Sequence, residues 1–357
     1  MTEATVTKPP QSFLVRNRML VLAVVAALVF PFLVAMLDGH SPMAVITGES
    51  GNAKFLQGLA VEVFILALYA LSYDLVLGVT GLLSFGHSMF FAVGAYGAGI
   101  MLKSFGWSLP MTVLGVAVFA VLQALLFAMV LPRVKGISFA LVTLGLSSVF
   151  FILVQSSEFK DYTGADVGLQ GVPVPDWINT NDHRFRMYLL ALFVLVAVYV
   201  IYRRILGSPT GAVLLANREN EDRALGLGYN TFLFKLFALV ASSMTAAAAG
   251  MLWTLHQPIV TPQVASLGWT VAALLMILIG GMGTLSGAIV GAAVYRLLAY
   301  YLEKFFGGSA SVLLGATYIA IVLFLPYGIV GTWRAKAIER REGLLRLKRL
   351  LTGSRQK

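Results

Sequence analysis

The sequence predicts an all-α fold, a polytopic integral membrane bundle of about ten transmembrane helices with glycine-broken segments. Hydrophobic residues make up 59% of the 357 positions and charged residues only 12%. Soluble domains contain about 45–50% apolar and about 25% charged residues. The mean hydropathy is +0.85, and apolar stretches near the roughly 20 residues that span a bilayer recur along the chain. These observations exclude a soluble globular protein.

The first apolar stretch covers residues 19–37 and follows a polar arm over residues 1–18. It is longer than the apolar region of a signal peptide, and residues 38–40 form a poor cleavage site, so we expect an uncleaved first span. The nine other stretches cover residues 55–77, 88–102, 110–131, 137–155, 187–202, 232–256, 268–281, 284–302 and 311–330. Glycines interrupt the short pair between residues 268 and 302, so nine or eleven crossings remain alternatives.

The charges between these stretches orient the chain. If the N-terminus is cytoplasmic and every stretch crosses, the cytoplasmic side receives 18 of the 26 lysine and arginine residues. The connection 156–186 then lies outside and contains more acidic than basic residues. This distribution follows the positive-inside rule and predicts that both termini are cytoplasmic. The net charge of +10 therefore reflects membrane topology, and we expect no nucleic acid partner.

A basic cytoplasmic tail over residues 332–357 follows the transmembrane domain over residues 19–331. Leucines at helical spacing in the tail would let it lie on the anionic surface of membrane lipid. The simpler interpretation is a topology anchor, because the positive-inside rule alone accounts for the charge.

Several chemistries are excluded by composition. The chain has no cysteine, which rules out thiolate metal sites, disulfides and thiol nucleophiles. Its four histidines are scattered without a second histidine at helical spacing, so we expect no metal site. We find no Ser-His-Asp set and no paired carboxylates, and we expect neither a cofactor nor an enzyme.

Residues 81–88, GLLSFGHS, differ from a phosphate-binding loop at one position, where His87 replaces the lysine. Such a loop needs its lysine and follows a strand, whereas apolar membrane stretches flank this segment, so nucleotide binding is disfavoured. Irregular backbone in a bilayer is tolerated where it is buried in protein or lines a wet cavity. The segment is therefore either a broken helix directed at a substrate or a plain cytoplasmic turn with close helix packing.

A second glycine segment, residues 280–287, resembles the first, since Gly283-Thr-Leu-Ser286 aligns with Gly81-Leu-Leu-Ser84. Glycine-interrupted segments at matching places in two halves of a chain point to a transporter's binding site. Gly283, Gly287 and Gly291 also recur every four residues, as do Ala95 and Gly99 in the earlier segment, which predicts close helix packing.

Two carboxylates fall in the second apolar stretch. We expect Asp74 at the membrane interface and Glu62 deeper. A charge inside a membrane is expensive and marks a functional candidate. Glu62 and His87 would form the relay of a proton-coupled carrier, and the alternative for Glu62 is a buried structural hydrogen bond or ion pair.

The segment 203–231 is the longest connection on the cytoplasmic side. Ser208-Pro209 predicts a turn, followed by an amphipathic helix from Gly211 to Leu227. Its apolar residues are Val213, Ala216, Ala224 and Leu227. The helix is either a solvated loop helix or a docking helix for a cytoplasmic partner. The chain has no Walker motif, so any ATPase is a separate subunit.

The chain resembles permease subunits of the branched-chain amino acid ABC importers, the LivM type. The resemblance rests on six motifs, whose order and spacing fit from about residue 55 to 331. They are LSYDLVLGVTGLLSFGHSMFFAVGAY at 71–96, FALVTLGLS at 139–147, TGADVGLQGVP at 163–173, residues 207–252, IGGMGTLSGAIVGA at 279–292 and LFLPYGIVG at 323–331. Urea-importer permeases share most of these motifs, so the substrate remains open between branched-chain amino acids and urea or short-chain amides.

The resemblance implies a multi-pass subunit of the bacterial inner membrane. It pairs with a sister permease of the LivH type, two cytoplasmic ABC ATPase subunits and a periplasmic substrate-binding protein. The resemblance further implies that the coupling loop 203–231 contacts the ATPase, through Arg218, Glu219, Asn220, Glu221 and Arg223. It implies that the two glycine segments flank the substrate path, with candidate residues Gly81, Ser84, Gly86, His87, Gly281, Gly283, Thr284 and Ser286. An ion-coupled secondary carrier is the less favoured alternative.

Overall fold

The computed structural model describes residues 18–47, 51–134, 136–180 and 183–333. The described part is helical apart from one two-stranded ribbon. Its α-helices are α1 Arg18–Leu37, α2 Pro42–Thr47, α3 Asn52–Tyr73, α4 His87–Lys103, α5 Leu109–Ala128, α6 Ile137–Gln155, α7 Lys160–Thr163, α8 Arg184–Leu206, α9 Pro209–Glu219, α10 Glu221–Gly226, α11 Thr231–His256, α12 Leu267–Gly280, α13 Leu285–Phe306 and α14 Ala310–Phe324. All but the last residue of the predicted N-terminal arm, and nearly all of the basic tail, lie outside the described residues.

Each of the ten predicted apolar stretches lies on one of the long helices, α1, α3, α4, α5, α6, α8, α11, α12, α13 and α14. Within the described ranges, seven segments are long and apolar enough to cross a membrane, and one of these, 285–333, contains both α13 and α14. Helices α4, α12 and α14 are shorter, with 17, 14 and 15 residues. The chain is therefore a polytopic membrane protein of helical structure.

Helices α3 and α11 form the centre of the bundle. Helix α3 packs against α8, α11 and α13, and α11 packs against α4 and α5. Every residue from Ile65 to Val76 is buried, so this part of α3 meets protein on all sides. A helix that is apolar around its whole circumference is stable only where neighbours or lipid surround it, which explains its central position.

The predicted close packing by small residues is confirmed at the crossing of α4 and α11. A Cβ atom on Gly94 would overlap the backbone of Ala247, and one on Gly250 would overlap the carbonyl of Phe91. The Thr254 hydroxyl donates to the Ala95 carbonyl over 3.0 Å, which is possible because the backbones approach so closely.

Glycines also bring α13 against α12. A Cβ atom on Gly291 would overlap the carbonyl of Met276, and one on Gly280 would overlap the carbonyl of Gly287. Gly283 precedes α13, so only the last two glycines of the predicted ridge belong to that helix.

The connections after α6 and after α11 meet at one end of the bundle. Strand β1, Leu169–Gln170, pairs antiparallel with β2, Ile259–Val260. Lys103, at the end of α4, donates to the carbonyl of Gln170 over 2.6 Å. The charge pattern predicts all three connections on the same side of the membrane, and in the structure they contact one another.

The α4–α11 crossing generates a stability prediction. Gly250→Leu inserts a side chain where the backbones touch, and we expect the unfolding free energy to fall by about 1–3 kcal/mol or more, because overpacked cores are strained. Gly145→Leu is the matched control, since nothing lies within 4 Å of its Cβ position. The measurement is the apparent melting temperature of the detergent-purified protein, and equal values for both variants would contradict the predicted contact.

Candidate functional site

The first glycine segment begins as an irregular extension of α3. After Tyr73 the chain continues as a π-helical turn from Asp74 to Val79, and α4 starts only at His87. Gly81 has a φ of +78°, a left-handed conformation that side chains disfavour. The widened turn and the glycine release backbone groups from the helical pattern, as π-turns often do at functional sites.

The second glycine segment separates α12 from α13. Gly283 has a φ of +76°, and α13 begins at Leu285. The Thr284 hydroxyl donates to the Gly281 carbonyl over 2.6 Å, which satisfies one carbonyl of the break locally. The amide of Gly283 is left to find a partner outside its own segment.

That partner is Asp74 of the first segment. The Gly283 amide donates to Oδ1 of Asp74 over 2.6 Å, and a Cβ atom on Gly78 would lie 2.6 Å from the Gly283 nitrogen. The two breaks therefore touch through their backbones, and only glycine fits at both positions. We call the cluster of Asp74, Gly78, Gly283 and Arg218 the glycine junction.

Arg218 enters the glycine junction from the coupling loop, residues 203–231. Its Nη1 donates to the carbonyl of Gly78 over 2.5 Å and lies 2.9 Å from the Cβ position of Gly283. Its positive charge also acts on the Asp74 carboxylate. The side chain predicted to contact an ATPase thus hydrogen-bonds to the backbone of the first break and lies beside the second. Sequence reasoning identified Arg218 and Asp74 separately, but no spacing signal linked residues so far apart in the chain.

The coupling loop contains two helices, so the predicted single helix from Gly211 to Leu227 is wrong. Asn220 has extended backbone, with φ −163° and ψ 103°, and its side-chain oxygen accepts from the Arg223 amide over 2.9 Å. Asparagine favours this N-cap role, which ends α9 and starts α10. Because of this break, the predicted apolar residues do not share one face: Leu227 is 72% exposed, whereas Val213 and Ala224 are buried.

The five predicted coupling residues point to different places. Arg218, Glu219, Asn220 and Arg223 are exposed, although Nη1 of Arg218 reaches the Gly78 carbonyl. Glu221 is turned inward, because Lys235 donates to its carboxylate over 2.5 Å and the Thr231 hydroxyl over 3.1 Å. These contacts fix α10 to the start of α11.

Two of the predicted path residues are buried side chains. His87 is fully buried, its Nε2 lies 2.8 Å from the Ser72 hydroxyl, and its ring packs against Tyr69 and Tyr73. Ser84 is also fully buried, and its carbonyl accepts from Tyr73 over 3.0 Å. A Cβ atom on Gly86 would overlap the carbonyl of Thr143.

The other predicted path residues differ in how far they are exposed. Gly81 is exposed, Thr284 and Ser286 are half-buried, and Gly281 is buried. The substrate-path role of the whole set stays a prediction.

Glu62 forms the structural ion pair that was the alternative to a proton relay. Its carboxylate accepts from Arg296 of α13, and also from the Gln257 side chain over 3.0 Å. Its contacts in the described ranges do not include His87. Asp74 is completely buried within the protein; its predicted depth at the membrane interface stays a prediction.

Comparison with known proteins places these features in a family context. Residues 55–325 match the family described as the permease component of branched-chain amino acid transport systems. The chain is 25% identical to the high-affinity branched-chain amino acid permease LivM of Escherichia coli K12 over 76% of this chain and 69% of that protein.

The similarity extends to a second type of permease. The chain is 26% identical to the probable permease LivH of Methanocaldococcus jannaschii, over 86% of this chain and 98% of that protein. No solved structure shows a significant match.

The glycine junction predicts that Asp74 stabilises the fold. Asp74→Ala leaves the buried Gly283 amide without its acceptor, and we expect a loss of about 1–3 kcal/mol in unfolding free energy. Asp166→Ala, at an exposed carboxylate, is the control. Apparent melting temperatures of the purified variants test this, and an Asp74 variant as stable as the control would show that the contact is not important for stability.

Proposed function

Because the chain belongs to the family of permease components of branched-chain amino acid transport systems, we propose that it forms a substrate pathway together with a sister permease. In this proposal the pathway carries branched-chain amino acids across a bacterial inner membrane. Two cytoplasmic ABC ATPase subunits drive it and a periplasmic binding protein delivers the substrate. As in the rest of the family, the chain is a non-catalytic membrane subunit. The observation that carries the proposed mechanism is the contact of Arg218 with both helix breaks.

Arg218 gives the ATPases a mechanical route into the membrane domain. The exposed residues Glu219, Asn220 and Arg223 form the ATPase contact in this proposal. When the ATPases close, the coupling loop moves, and Arg218 transmits that motion to the backbone at Gly78. Asp74 passes it across to Gly283, so the ends of α3 and α13 move together.

The arrangement of connections supports the sidedness and the crossing count. The glycine junction joins the two glycine segments and the coupling loop at one end of the bundle. The β1–β2 ribbon and Lys103 join three other connections at the opposite end. An alternating path with ten crossings and both termini cytoplasmic places each of these sets on one side, which we therefore propose.

The polar groups of the substrate path would act in transit. Ser84, backbone amides after Gly86, and Thr284 or Ser286 would contact the charged ends of the amino acid. Affinity at this step should be low, because the binding protein supplies selectivity and a tight site would slow release.

The function is tested by reconstitution. The chain, its sister permease, the ATPases and the binding protein are placed in liposomes, and we expect ATP-dependent uptake of labelled leucine, with labelled urea and glutamate as competitors for specificity. Leucine uptake by the chain alone, or urea uptake in its place, would contradict the proposal.

The coupling route generates a second functional prediction. Arg218→Met removes a charge-assisted hydrogen bond, and we expect leucine uptake to fall by about tenfold while ATP hydrolysis persists, since such bonds contribute about 1.5–3 kcal/mol. Arg133→Met, at an exposed arginine of another cytoplasmic connection, should leave both rates near wild type. Normal uptake per ATP in the Arg218 variant would rule out this route.

A further inference from the structure

A cavity of about 470 Å³ lies far from the glycine junction. It is enclosed by the first half of α3, the start of α8, the end of α11 and the middle of α13. We call it the charged cavity, after four of its lining residues, Glu62, Arg184, His256 and Arg296. Its volume lies in the range that protein sites for small ligands occupy.

The described residues that line this cavity carry more positive than negative charge. Glu62 is paired with Arg296, whereas Arg184 donates to the backbone carbonyls of Lys54 at 2.8 Å and Thr180 at 3.4 Å, and the Glu62 carboxylate also acts on its charge. Among the described residues that line it, the cavity therefore holds two guanidinium groups against one carboxylate. Arg184 is half-buried, and its guanidinium has five N–H donors, so it can donate to the carboxylate of a ligand as well as to these carbonyls.

Gly58 makes room for the side chain of Arg184. Nη1 of Arg184 lies 3.3 Å from the Cβ position of Gly58, so the guanidinium packs against the backbone of α3 where no side chain intervenes. Gly58 precedes Glu62 by four residues, which is one turn on the same face of the helix. A cationic and an anionic group are thus presented about one helical turn, roughly 5 Å, apart. That spacing suits a molecule with an ammonium and a carboxylate on the same carbon atom.

The rest of the cavity wall combines apolar residues with the polar residues Asn179, Thr180 and Gln257. Leu59, Leu255 and Ile259 line it. His256 is 7% exposed, and its Nδ1 has no hydrogen-bond partner among the described residues. An aliphatic side chain would fit against the leucines and isoleucine, and the imidazole could take a further hydrogen bond from or to the ligand.

The charged cavity shares its helices with the glycine junction. Helix α3 contains Glu62 and runs into the turn that begins at Asp74; α13 contains Arg296 and starts two residues after Gly283. Glu62 and Gly78 are 16 residues apart, or about 24 Å along a helix. The cavity is at the level of the β1–β2 ribbon, which the proposed topology places outside.

We propose that the charged cavity is a transit site for a zwitterionic aliphatic amino acid that enters from the binding protein. Arg184 binds the carboxylate, Glu62 accepts from the ammonium in competition with Arg296, and the apolar wall receives the side chain. This rests on the proposed function and deepens it, because neutral urea would use neither charge. A ligand that separates Glu62 from Arg296 loosens α3 from α13, the two helices that meet at the glycine junction.

The test uses a photoreactive diazirine analogue of leucine. The assembled permease–ATPase complex, in lipid nanodiscs and without the binding protein, is illuminated with this probe and digested for mass spectrometry. We expect saturable labelling of peptides that contain residues 55–62 or 255–259. Excess leucine should reduce it about tenfold, whereas 4-methylpentanoate, which lacks the ammonium, and 3-methylbutylamine, which lacks the carboxylate, should not. This competition needs no variant and is independent of folding effects.

Variants assign the charges. Arg184→Gln should reduce labelling about tenfold, because it removes the group that binds the carboxylate. Arg186→Gln, two residues further along α8 and exposed, should label as wild type. Elution of the intact complex from a sizing column checks assembly of both variants.

Two results would overturn the site: labelling absent from these peptides, or labelling that the acid or the amine displaces as well as leucine does. If the full complex takes up leucine with ATP while the cavity stays unlabelled, the site is wrong and the proposed function stands. If ATP-dependent uptake is absent, the proposed function fails, and the labelling still decides whether the cavity binds a zwitterion.

Discussion

The requirement that buried backbone groups find partners governs this structure. Each glycine segment interrupts a helix and frees amide and carbonyl groups that lipid cannot satisfy. The freed amide at Gly283 binds the Asp74 carboxylate, and the freed carbonyl at Gly78 binds Arg218. The first break thus satisfies the second through Asp74, and a side chain from the coupling loop satisfies the first through Gly78.

Much of the fold was predictable because a segment that spans a bilayer must satisfy its backbone hydrogen bonds internally. Apolar stretches of near-spanning length had to be helices, and each of them is one. Small residues at four-residue spacing predicted close contacts, as Gly287 and Gly291 of α13 against α12 illustrate. The family was recognisable from motifs that are spread between residues 71 and 331.

The details that failed depend on contacts between distant residues. The coupling loop has the composition of one amphipathic helix, and only the local capping by Asn220 divides it. The partner of Glu62 is 234 residues away, so the sequence alone could not decide between an ion pair and a proton relay. The π-turn after Tyr73 has no composition signature, since the same residues would also extend an ordinary helix. Tertiary context decides each of these cases.

The two ends of the bundle are closed by different kinds of bond. The β1–β2 ribbon pairs through main-chain groups, which nearly every residue possesses, so its side chains can be substituted without loss of the pairing. The other end depends on two side chains, Arg218 and Asp74, so a single substitution removes a bond there. Amino-acid changes in the ribbon should therefore disturb its end of the bundle less than changes of Arg218 or Asp74 disturb the other.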